Sequence, residues 1–335
     1  MDSPSAASSA PPQAPAPQSA AAPGAGQPAA TGQRPARPRS PRFPPHNAPR
    51  VWFLTNGTSP ISISLATQIL EHGDYVVAGV LPAEFERESG RSEEFRDFLD
   101  KVGGAEGDKE RWKERLRVVS LDARVIGQCQ SAIAEGVDAF GKIDVLLGCS
   151  NETVVGTVEE LSQSTRTMNL VRDQFETTFF SNVNIIKAVL PAMRSAKNGH
   201  IIMLTGTTGH LGTPGLGMYC AAQWAIEGYC DSLAYEIAPF NIKMSIVQPN
   251  MEVNVSLYPM LDPAVRSLLI AETVHALTAI GGHDNPPARH IVGFEGVASV
   301  KEKLKTVSEE LEDFNEVSGA VDIGKGEDAM DISQG

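Results

Sequence analysis

The stretch from residue 51 to residue 80, "VWFLTNGTSPISISLATQILEHGDYVVAGV", contains two continuous apolar runs with a helical pattern between them. The runs, "VWFLT" and "YVVAGV", do not alternate polar with apolar residues, which is typical of strands that are covered on both faces. Between them Ile61, Leu65 and Ile69 recur every four residues, as on one face of a helix. This order of strand, helix and strand predicts a right-handed βαβ unit with parallel strands.

The same alternation continues for another 170 residues or so. Four further apolar runs are separated by helical stretches: "RVVSL" (117–121), "IDVLLG" (143–148), "HIIMLTG" (200–206) and "IKMSIVQP" (242–249). Together they predict an α/β fold with a Rossmann-like, doubly wound parallel sheet in a single domain. Such a sheet binds its ligand at the carboxyl ends of the strands, so the turns after the strands are the places to look for a site.

Composition predicts a folded domain between two tails. The chain has 335 residues, of which 41% are hydrophobic and 21% charged, as in a globular protein. Residues 1–50 hold thirteen of the 23 prolines and few apolar side chains, so they cannot offset the entropy of ordering and are predicted to be disordered. Residues 315–335 are polar and acidic and are predicted to form a second disordered tail, which leaves 51–314 as the domain.

The N-terminal tail is basic and the rest of the chain is acidic. Five arginines against Asp2 make the tail about +4, so the remainder carries about −17 of the formal −13. An acidic body argues against nucleic acid as the main partner. The tail segment "RPARPRSPRFPP" could bind a protein as a polyproline ligand, be phosphorylated at Ser40, act as a nuclear address, or serve as a spacer.

Other classes of protein and site are excluded by what the sequence lacks. No apolar run approaches the ~18 residues of a membrane span, and no charged-then-apolar leader is present. We therefore expect a cytoplasmic protein, with the nucleus left open by the basic tail. The four cysteines are far apart or on predicted buried elements, with no C-x-x-C pair and no nearby histidine pair, so we predict reduced thiols and no metal site: Cys129, Cys149, Cys220 and Cys230.

From Val51 to Asn250, and more weakly to Phe314, the chain resembles the short-chain dehydrogenase/reductase family. Six segments carry the resemblance in order: "FGKIDVLLGCSN", "FFSNVNIIKAVLPAM", "GHIIMLTGTTGHLG", "MYCAAQW", "IVQPN" and "NPPARHIVG". The resemblance implies hydride transfer between NAD or NADP and a carbonyl or alcohol. It also implies a homodimer or homotetramer that pairs through the helices around Asn182 and Tyr219.

The cofactor turn that the resemblance implies is altered. The family's T-G-x-x-x-G-x-G falls on "TNGTSPIS", so the three glycine positions hold Asn56, Pro60 and Ser62, and Gly57 lies between the first two. Such glycines let the backbone approach the pyrophosphate at a helix N-terminus. Pro60 has no amide hydrogen and Ser62 adds a side chain, so we predict a damaged phosphate cradle.

Other cofactor positions also depart from the family. After the second strand, where the resemblance implies a charged residue that meets the cofactor ribose, the chain has "VLP", which selects neither NAD nor NADP. Asp122 matches the acid that meets the adenine, although an exposed strand-end aspartate explains it equally well. The family's N-N-A-G turn becomes "GCSN" at 148–151.

Two of the four catalytic residues that the resemblance implies are missing. Asn182 and Tyr219 match the asparagine and the tyrosine, but the serine falls on Gly206 and the lysine on Gln223. A cation ~4 Å from a phenol is worth ~4 kcal/mol at an effective dielectric of ~20, enough to lower the pKa of the phenol substantially. Gln223 has no charge with which to do so. Tyr219 could then simply pack on the sheet, as aromatic residues do.

Two alternatives stay open beside these losses. Thr207 or Thr208, in the turn, could substitute for the serine, whereas Thr205 is expected to face away from the site. Apolar residues near the C-terminus recur at alternating spacings of three and four, which predicts a terminal helix docked on the domain or a coiled coil with a partner: Val297, Val300, Leu304, Val307, Leu311 and Phe314.

The sequence supports two hypotheses of function. The first is a catalytically impaired relative of these enzymes that acts as a binding or regulatory protein, with a nucleotide or small molecule in its cleft and tails that bind partners. The second is an atypical NAD- or NADP-dependent oxidoreductase in which Tyr219 is the acid and base. Several concurrent losses remove most of the transition-state stabilisation, so the first is preferred.

Overall fold

A seven-stranded parallel sheet forms the centre of the protein in a computed structural model that describes residues 42–86, 91–105, 107, 110–249 and 262–319. The strand order is β3-β2-β1-β4-β5-β6-β7. The strands are β1 (Val51–Leu54), β2 (Tyr75–Val80), β3 (Leu116–Ser120), β4 (Val145–Gly148), β5 (Gly199–Leu204), β6 (Ile242–Pro249) and β7 (Arg289–Val292). The doubly wound parallel sheet predicted from the sequence is confirmed, and the order reverses between β1 and β4.

Helices cover both faces of this sheet. They are α1 (Pro60–His72), α2 (Pro82–Glu86), α3 (Glu93–Gly103), α4 (Trp112–Arg115), α5 (Ile126–Phe140), α6 (Val158–Ser162), α7 (Thr165–Phe175), α8 (Ser181–Ala196), α9 (Gly217–Ile237), α10 (Pro263–Ile280), α11 (Phe294–Asp313) and α12 (Asn315–Gly319). A π-helical turn, Glu176–Phe180, joins α7 to α8, and a 3₁₀ turn, Thr207–Gly209, follows β5. Within the ranges described, no helix is long and apolar enough to cross a membrane.

The continuous apolar runs arise because each strand is buried on both faces. In β1, Trp52 and Leu54 belong to a core shared with α1, α3 and α10, whereas Val51 and Phe53 belong to a second core shared with α5, α8 and α9. Successive strand side chains point to opposite faces, so both must be apolar here. The predicted helix face, Ile61, Leu65 and Ile69, is fully buried against the first core.

The strand β7 was not predicted as a strand. It is only four residues long and its first three residues, Arg289, His290 and Ile291, are partly exposed. It pairs with β6 at the edge of the sheet, from Ile246 with Arg289 to Pro249 with Val292. Its polar first half therefore lacks the apolar pattern that marks the central strands.

The ordered body begins before residue 51, where the sequence placed the domain boundary. Pro44 is buried, and the Phe43 ring stacks on His72 with 4.1 Å between ring centroids. The Arg50 amide donates to the Asp74 carboxylate at 2.9 Å. Prolines and an aromatic ring can therefore pack on the domain, even though their surroundings in sequence favour disorder. Residues 1–41 of the predicted tail lie outside the described residues.

The C-terminal helix α11 docks only at its first half. Val300 is 2% exposed, but Leu304, Leu311 and Phe314 are 57%, 68% and 62% exposed. The apolar seam predicted from the sequence is therefore present, and most of it does not pack on the domain. Of the predicted acidic tail, α12 covers 315–319, and residues 320–335 lie outside the described residues.

Candidate functional site

A cavity of about 260 Å³ opens at the carboxyl ends of β1, β2, β3 and β4. The turns after these strands and the start of α8 line this cleft, with polar side chains that are Thr55, Asn56, Asp122, Arg124, Ser150, Asn151, Glu152, Thr177 and Ser181. It lies at the reversal of strand order, which is where doubly wound sheets bind ligands. Asn56 and Asp122, two of the residues predicted to meet a cofactor, line it.

An ion pair occupies the end of the cleft next to β3. The Asp122 carboxylate accepts hydrogen bonds from Arg124 Nε at 2.9 Å and Nη2 at 2.7 Å, and from the Arg124 amide at 3.1 Å. The Arg124 guanidinium holds the pKa of Asp122 below its usual value, mainly through these side-chain hydrogen bonds. Asp122 is therefore an ionised, paired carboxylate. Sequence reasoning missed Arg124, because it concentrated on the position after β2.

The turn after β1 uses its own hydroxyl groups to cap α1. Ser59 is the N-cap, and its Oγ accepts from the Ser62 amide at 3.2 Å and donates to Ser62 Oγ at 2.9 Å. Pro60, the first residue of the helix, has no amide hydrogen. Of the first three residues of α1, Pro60 therefore has no amide hydrogen to donate, and the Ser62 amide is already bonded to the Ser59 cap. A pyrophosphate needs these donors, so the turn as built does not fit that group.

Side chains around the turn after β1, where the family has glycines, contact the Cys149 side chain in the altered turn after β4. Ser62 Oγ and Thr55 Oγ1 each lie 3.6 Å from Cys149 Sγ, and the Cys149 amide donates to Thr55 Oγ1 at 2.9 Å. We call Thr55, Ser59, Ser62 and Cys149 the hydroxyl–thiol cluster. Two changes that look independent in the sequence therefore meet in space.

Gly57 is the glycine that this turn requires. A Cβ there would lie 2.8 Å from the Ala78 Cβ and 3.1 Å from the Gly79 carbonyl oxygen, because the turn passes close to β2. The Gly57 amide also donates to the Gly79 carbonyl at 2.7 Å. Asn56 does not adopt the left-handed conformation, so its position does not need glycine.

Tyr219 lies in the first turn of α9 and is completely buried. Gln223 Nε2, one helical turn later, donates to the Tyr219 phenol oxygen at 2.7 Å. Gln223 itself is 1% exposed, so this contact is between two buried side chains. The amide therefore occupies the position of the family's lysine as a neutral hydrogen-bond donor.

Asn182 follows the π-helical turn and is also buried. Its Nδ2 donates to the Ser150 carbonyl at 3.0 Å and to the Thr178 carbonyl at 2.8 Å, which ties α8 to the turn after β4. Among the described residues, Asn182 and Tyr219 are not part of the cavity lining. Gly206, where the resemblance implies a serine, is the second residue after β5 and supplies no side chain.

A buried carboxylate, Glu227, lies two turns beyond Tyr219 on α9. It accepts from Thr205 Oγ1 at 2.8 Å, from Gln248 Nε2 at 2.6 Å and from Arg289 Nη2 at 3.2 Å. We call Glu227, Thr205, Gln248 and Arg289 the carboxylate network. Thr205 was expected to face away from the site. Its hydroxyl donates to Glu227, and Thr205 is not among the residues that line the cleft.

This network was missed in the sequence, although one pattern could have indicated it. Tyr219, Gln223, Glu227 and Asp231 recur every four residues on α9, and Arg289 bridges the last two, with 3.1 Å to the Asp231 carboxylate. A polar stripe on a helix that packs against a sheet needs partners from the strands. Which strands would supply them depends on the strand order.

Comparison with known proteins agrees with the fold. A family model described as short chain dehydrogenase matches residues 101–255. Oxidoreductase BOA17 of Botryotinia fuckeliana is 30% identical over 60% of this chain and 65% of its own length. Human retinol dehydrogenase 8 is 30% identical over 60% of this chain and 58% of its own length. The chain thus spans less than two thirds of the length of these relatives.

A solved structure gives the same result. A short-chain dehydrogenase from Streptomyces avermitilis is 25% identical, with a TM-score of 0.64, and the match covers 82% of this chain and 100% of that one. The matched family model begins at residue 101, so the turn after β1 lies outside it. The sheet order, the helix with Tyr219 and these matches agree, and the chain belongs to the short-chain dehydrogenase/reductase family.

Proposed function

We propose that this protein is a catalytically impaired short-chain dehydrogenase that binds a nucleotide or another small polar ligand in its cleft and acts as a binding or regulatory protein. One observation carries the proposal: the Tyr219 phenol is completely buried, and its oxygen accepts from the neutral Gln223 amide at 2.7 Å. A tyrosine that exchanges protons with a substrate needs access to it and, in this family, a cation beside the phenol, and Gln223 supplies a hydrogen bond but no charge.

The cleft supports ligand binding without a dinucleotide pyrophosphate. The hydroxyl–thiol cluster satisfies its own donors, so the pyrophosphate of NAD or NADP does not fit at the start of α1. Arg124 and Asp122 nevertheless present a charged pair to the cavity, beside the hydroxyl and amide groups that line the rest of it. These groups suit a ligand with one phosphate, or a polar molecule of similar size, better than they suit a dinucleotide.

A titration tests the proposal. The full chain is titrated with AMP, NADH and NADPH by intrinsic fluorescence and thermal shift, and the oxidation of NADH and NADPH is followed with a panel of carbonyl compounds. We expect AMP to bind more tightly than NADH or NADPH, no carbonyl-dependent oxidation of either dinucleotide, and weaker AMP binding in Arg124→Ala. Arg117→Ala is the matched control, because Arg117 pairs with Glu135 on the surface and does not line the cleft.

The outcomes separate the two parts of the proposal. Brisk carbonyl-dependent oxidation of NADH or NADPH would overturn catalytic impairment. Failure of all three nucleotides to bind would remove nucleotides as the ligand class. Equal losses in Arg124→Ala and Arg117→Ala would show that nucleotide binding does not use the cleft.

The alternative function is an atypical NAD- or NADP-dependent oxidoreductase. It is favoured by one observation, that Tyr219 and the residue at the position of the family's lysine, Gln223, are in direct contact. On this alternative, Tyr219→Phe abolishes turnover and Gln223→Lys raises it, because an ammonium would lower the pKa of the phenol. Absence of any change in either variant would leave this alternative without a mechanism.

A further inference from the structure

Three side chains with metal-binding atoms meet at the end of the sheet opposite to the cleft. His72 is the last residue of α1, Asp74 directly precedes β2, and His46 lies in the segment before β1. His46 Nε2 is 3.5 Å from Asp74 Oδ1, and His72 Nδ1 is 3.4 Å from Asp74 Oδ2. One nitrogen from each histidine and a carboxylate oxygen all lie within 4.8 Å of one another. We call these residues the His–His–Asp triad.

The hydrogen bonds of His46 orient a nitrogen lone pair into the triad. His46 Nδ1 lies 2.7 Å from the Ala48 carbonyl oxygen, which can only accept, so Nδ1 carries the hydrogen. In the neutral ring Nε2 then has the lone pair, and this atom is buried with no hydrogen-bond partner. A histidine that donates from one nitrogen to a backbone carbonyl and presents the other to a carboxylate has the arrangement of a metal ligand.

The spacing of the triad suits a small divalent ion. Bonds of ~2.0–2.1 Å in a tetrahedral zinc site place neighbouring ligand atoms ~3.3 Å apart. His46 Nε2 and His72 Nδ1 lie 3.5 Å and 3.4 Å from the two different oxygens of Asp74, and one atom from each residue lies within 4.8 Å of the others, so small side-chain shifts would bring them to that spacing. Two imidazoles and one carboxylate favour zinc or a similar transition metal over magnesium or calcium, which prefer oxygen ligands. A water molecule would complete the tetrahedron.

Surrounding contacts hold the three ligands in place. Asp74 is completely buried, and the Arg50 amide donates to its Oδ1 at 2.9 Å. The Phe43 ring stacks on His72, 4.1 Å between centroids. The triad therefore has supporting contacts around its ligands, as metal sites require.

We propose that His46, His72 and Asp74 bind a divalent transition-metal ion, of which zinc is the expected one, and that the ion fastens the segment 42–50 to the body of the domain. The proposal is independent of the cleft and of the proposed function. The two histidines are far apart in the sequence, and His46 falls in the predicted tail. The spacing of histidines along the chain therefore did not indicate the site. The ion would be structural, since ligands bind at the carboxyl ends of the strands, which are at the opposite end of the sheet.

Cobalt and zinc titrations test the site. Full-length protein without an affinity tag is treated with a chelator, dialysed, and titrated with Zn²⁺ by calorimetry and with Co²⁺ by visible absorption. We expect about one ion per chain, the intense absorption of tetrahedral cobalt, and a higher Tm with metal. His46→Ala and His72→Ala should each weaken binding at least about tenfold. His210→Ala is the matched control, because His210 follows the carboxyl end of β5, at the opposite end of the sheet from the triad.

The results can overturn the proposal in several ways. It fails if no ion binds, or if binding is unchanged in His46→Ala and His72→Ala. Limited proteolysis gives a further check, because zinc should protect the segment 42–50 in the parent protein and not in His46→Ala.

Discussion

The hydroxyl–thiol cluster and the carboxylate network lie at the same end of the sheet but differ in charge. The first joins neutral hydroxyl groups and the Cys149 thiol around the start of α1. The second surrounds a buried carboxylate, Glu227, that is paired with Arg289. A neutral cluster tolerates the loss of one member, whereas removing one partner of a buried ion pair leaves an uncompensated charge. We therefore expect the network to be more sensitive to substitution than the cluster.

The largest change in stability is expected from substitution of Glu227. Glu227→Ala removes the acceptor for Thr205, Gln248 and Arg289 and should lower the free energy of unfolding by about 3 kcal/mol. Urea denaturation measures the change. Glu236→Ala, on an exposed position of the same helix, serves as control and should change stability by less than about 0.5 kcal/mol. A loss below about 1 kcal/mol in Glu227→Ala would break the contrast between the two regions.

Acid sensitivity is expected from the amino end of β5. Burial lowers the pKa of His200 to about 3 from 6.5, and its Nδ1 accepts from the Gly282 amide at 3.0 Å. Because the unfolded chain takes up a proton near pH 6.5 and the folded chain does not, stability should fall as pH decreases below 6.5. The loss is about 1.4 kcal/mol per pH unit, or about 2 kcal/mol by pH 5.

Denaturation curves between pH 7 and pH 5 measure this slope. His200→Gln should flatten it, since glutamine does not titrate in this range. An equal slope in the parent protein and in His200→Gln would place the acid sensitivity elsewhere.

Glycine at the altered positions should improve dinucleotide binding. Pro60→Gly restores an amide donor, and Ser62→Gly removes the partner of the Ser59 hydroxyl, so the double variant should bind NADPH about tenfold more tightly. Fluorescence titration checks the gain, and AMP binding is the reference. An unchanged NADPH affinity would mean that the start of α1 does not limit binding.

The smallest effect is expected at Cys149. Cys149→Ser exchanges a thiol for a hydroxyl between Thr55 and Ser62, so it should change the free energy of unfolding by no more than about 1 kcal/mol in either direction. Thermal and urea denaturation give the value. A loss comparable to that of Glu227→Ala would show that the cluster is as sensitive as the network.

Part of the architecture could be predicted because it depends on local pattern. Ile61, Leu65 and Ile69 are buried as their spacing predicts, and the strands predicted from apolar runs are parallel and covered on both faces. The edge strand β7 and the packed residues before β1 could not be predicted. In both, burial is partial or comes from contacts with distant residues, so the local sequence shows no periodic pattern.

Most of the site depended on contacts between residues far apart in the chain. The residue losses at Gly206 and Gln223 are visible directly in the sequence, because the resemblance assigns each position. The contact of Ser62 with Cys149 and that of Glu227 with Arg289 are not visible, since each depends on which strands are neighbours. The partner of a side chain that replaces a glycine, such as Ser62, can be identified only when the fold is known.

The sequence by itself determined the parallel α/β sheet, the family, and the neutral side chain beside Tyr219, because apolar periodicity and residue identity are local properties. Only the tertiary structure decided that Tyr219 is buried, that the altered turns contact each other, and that His46, His72 and Asp74 converge. The physical reason is that strand order and helix packing bring together residues whose separation along the chain carries no information about their distance in space.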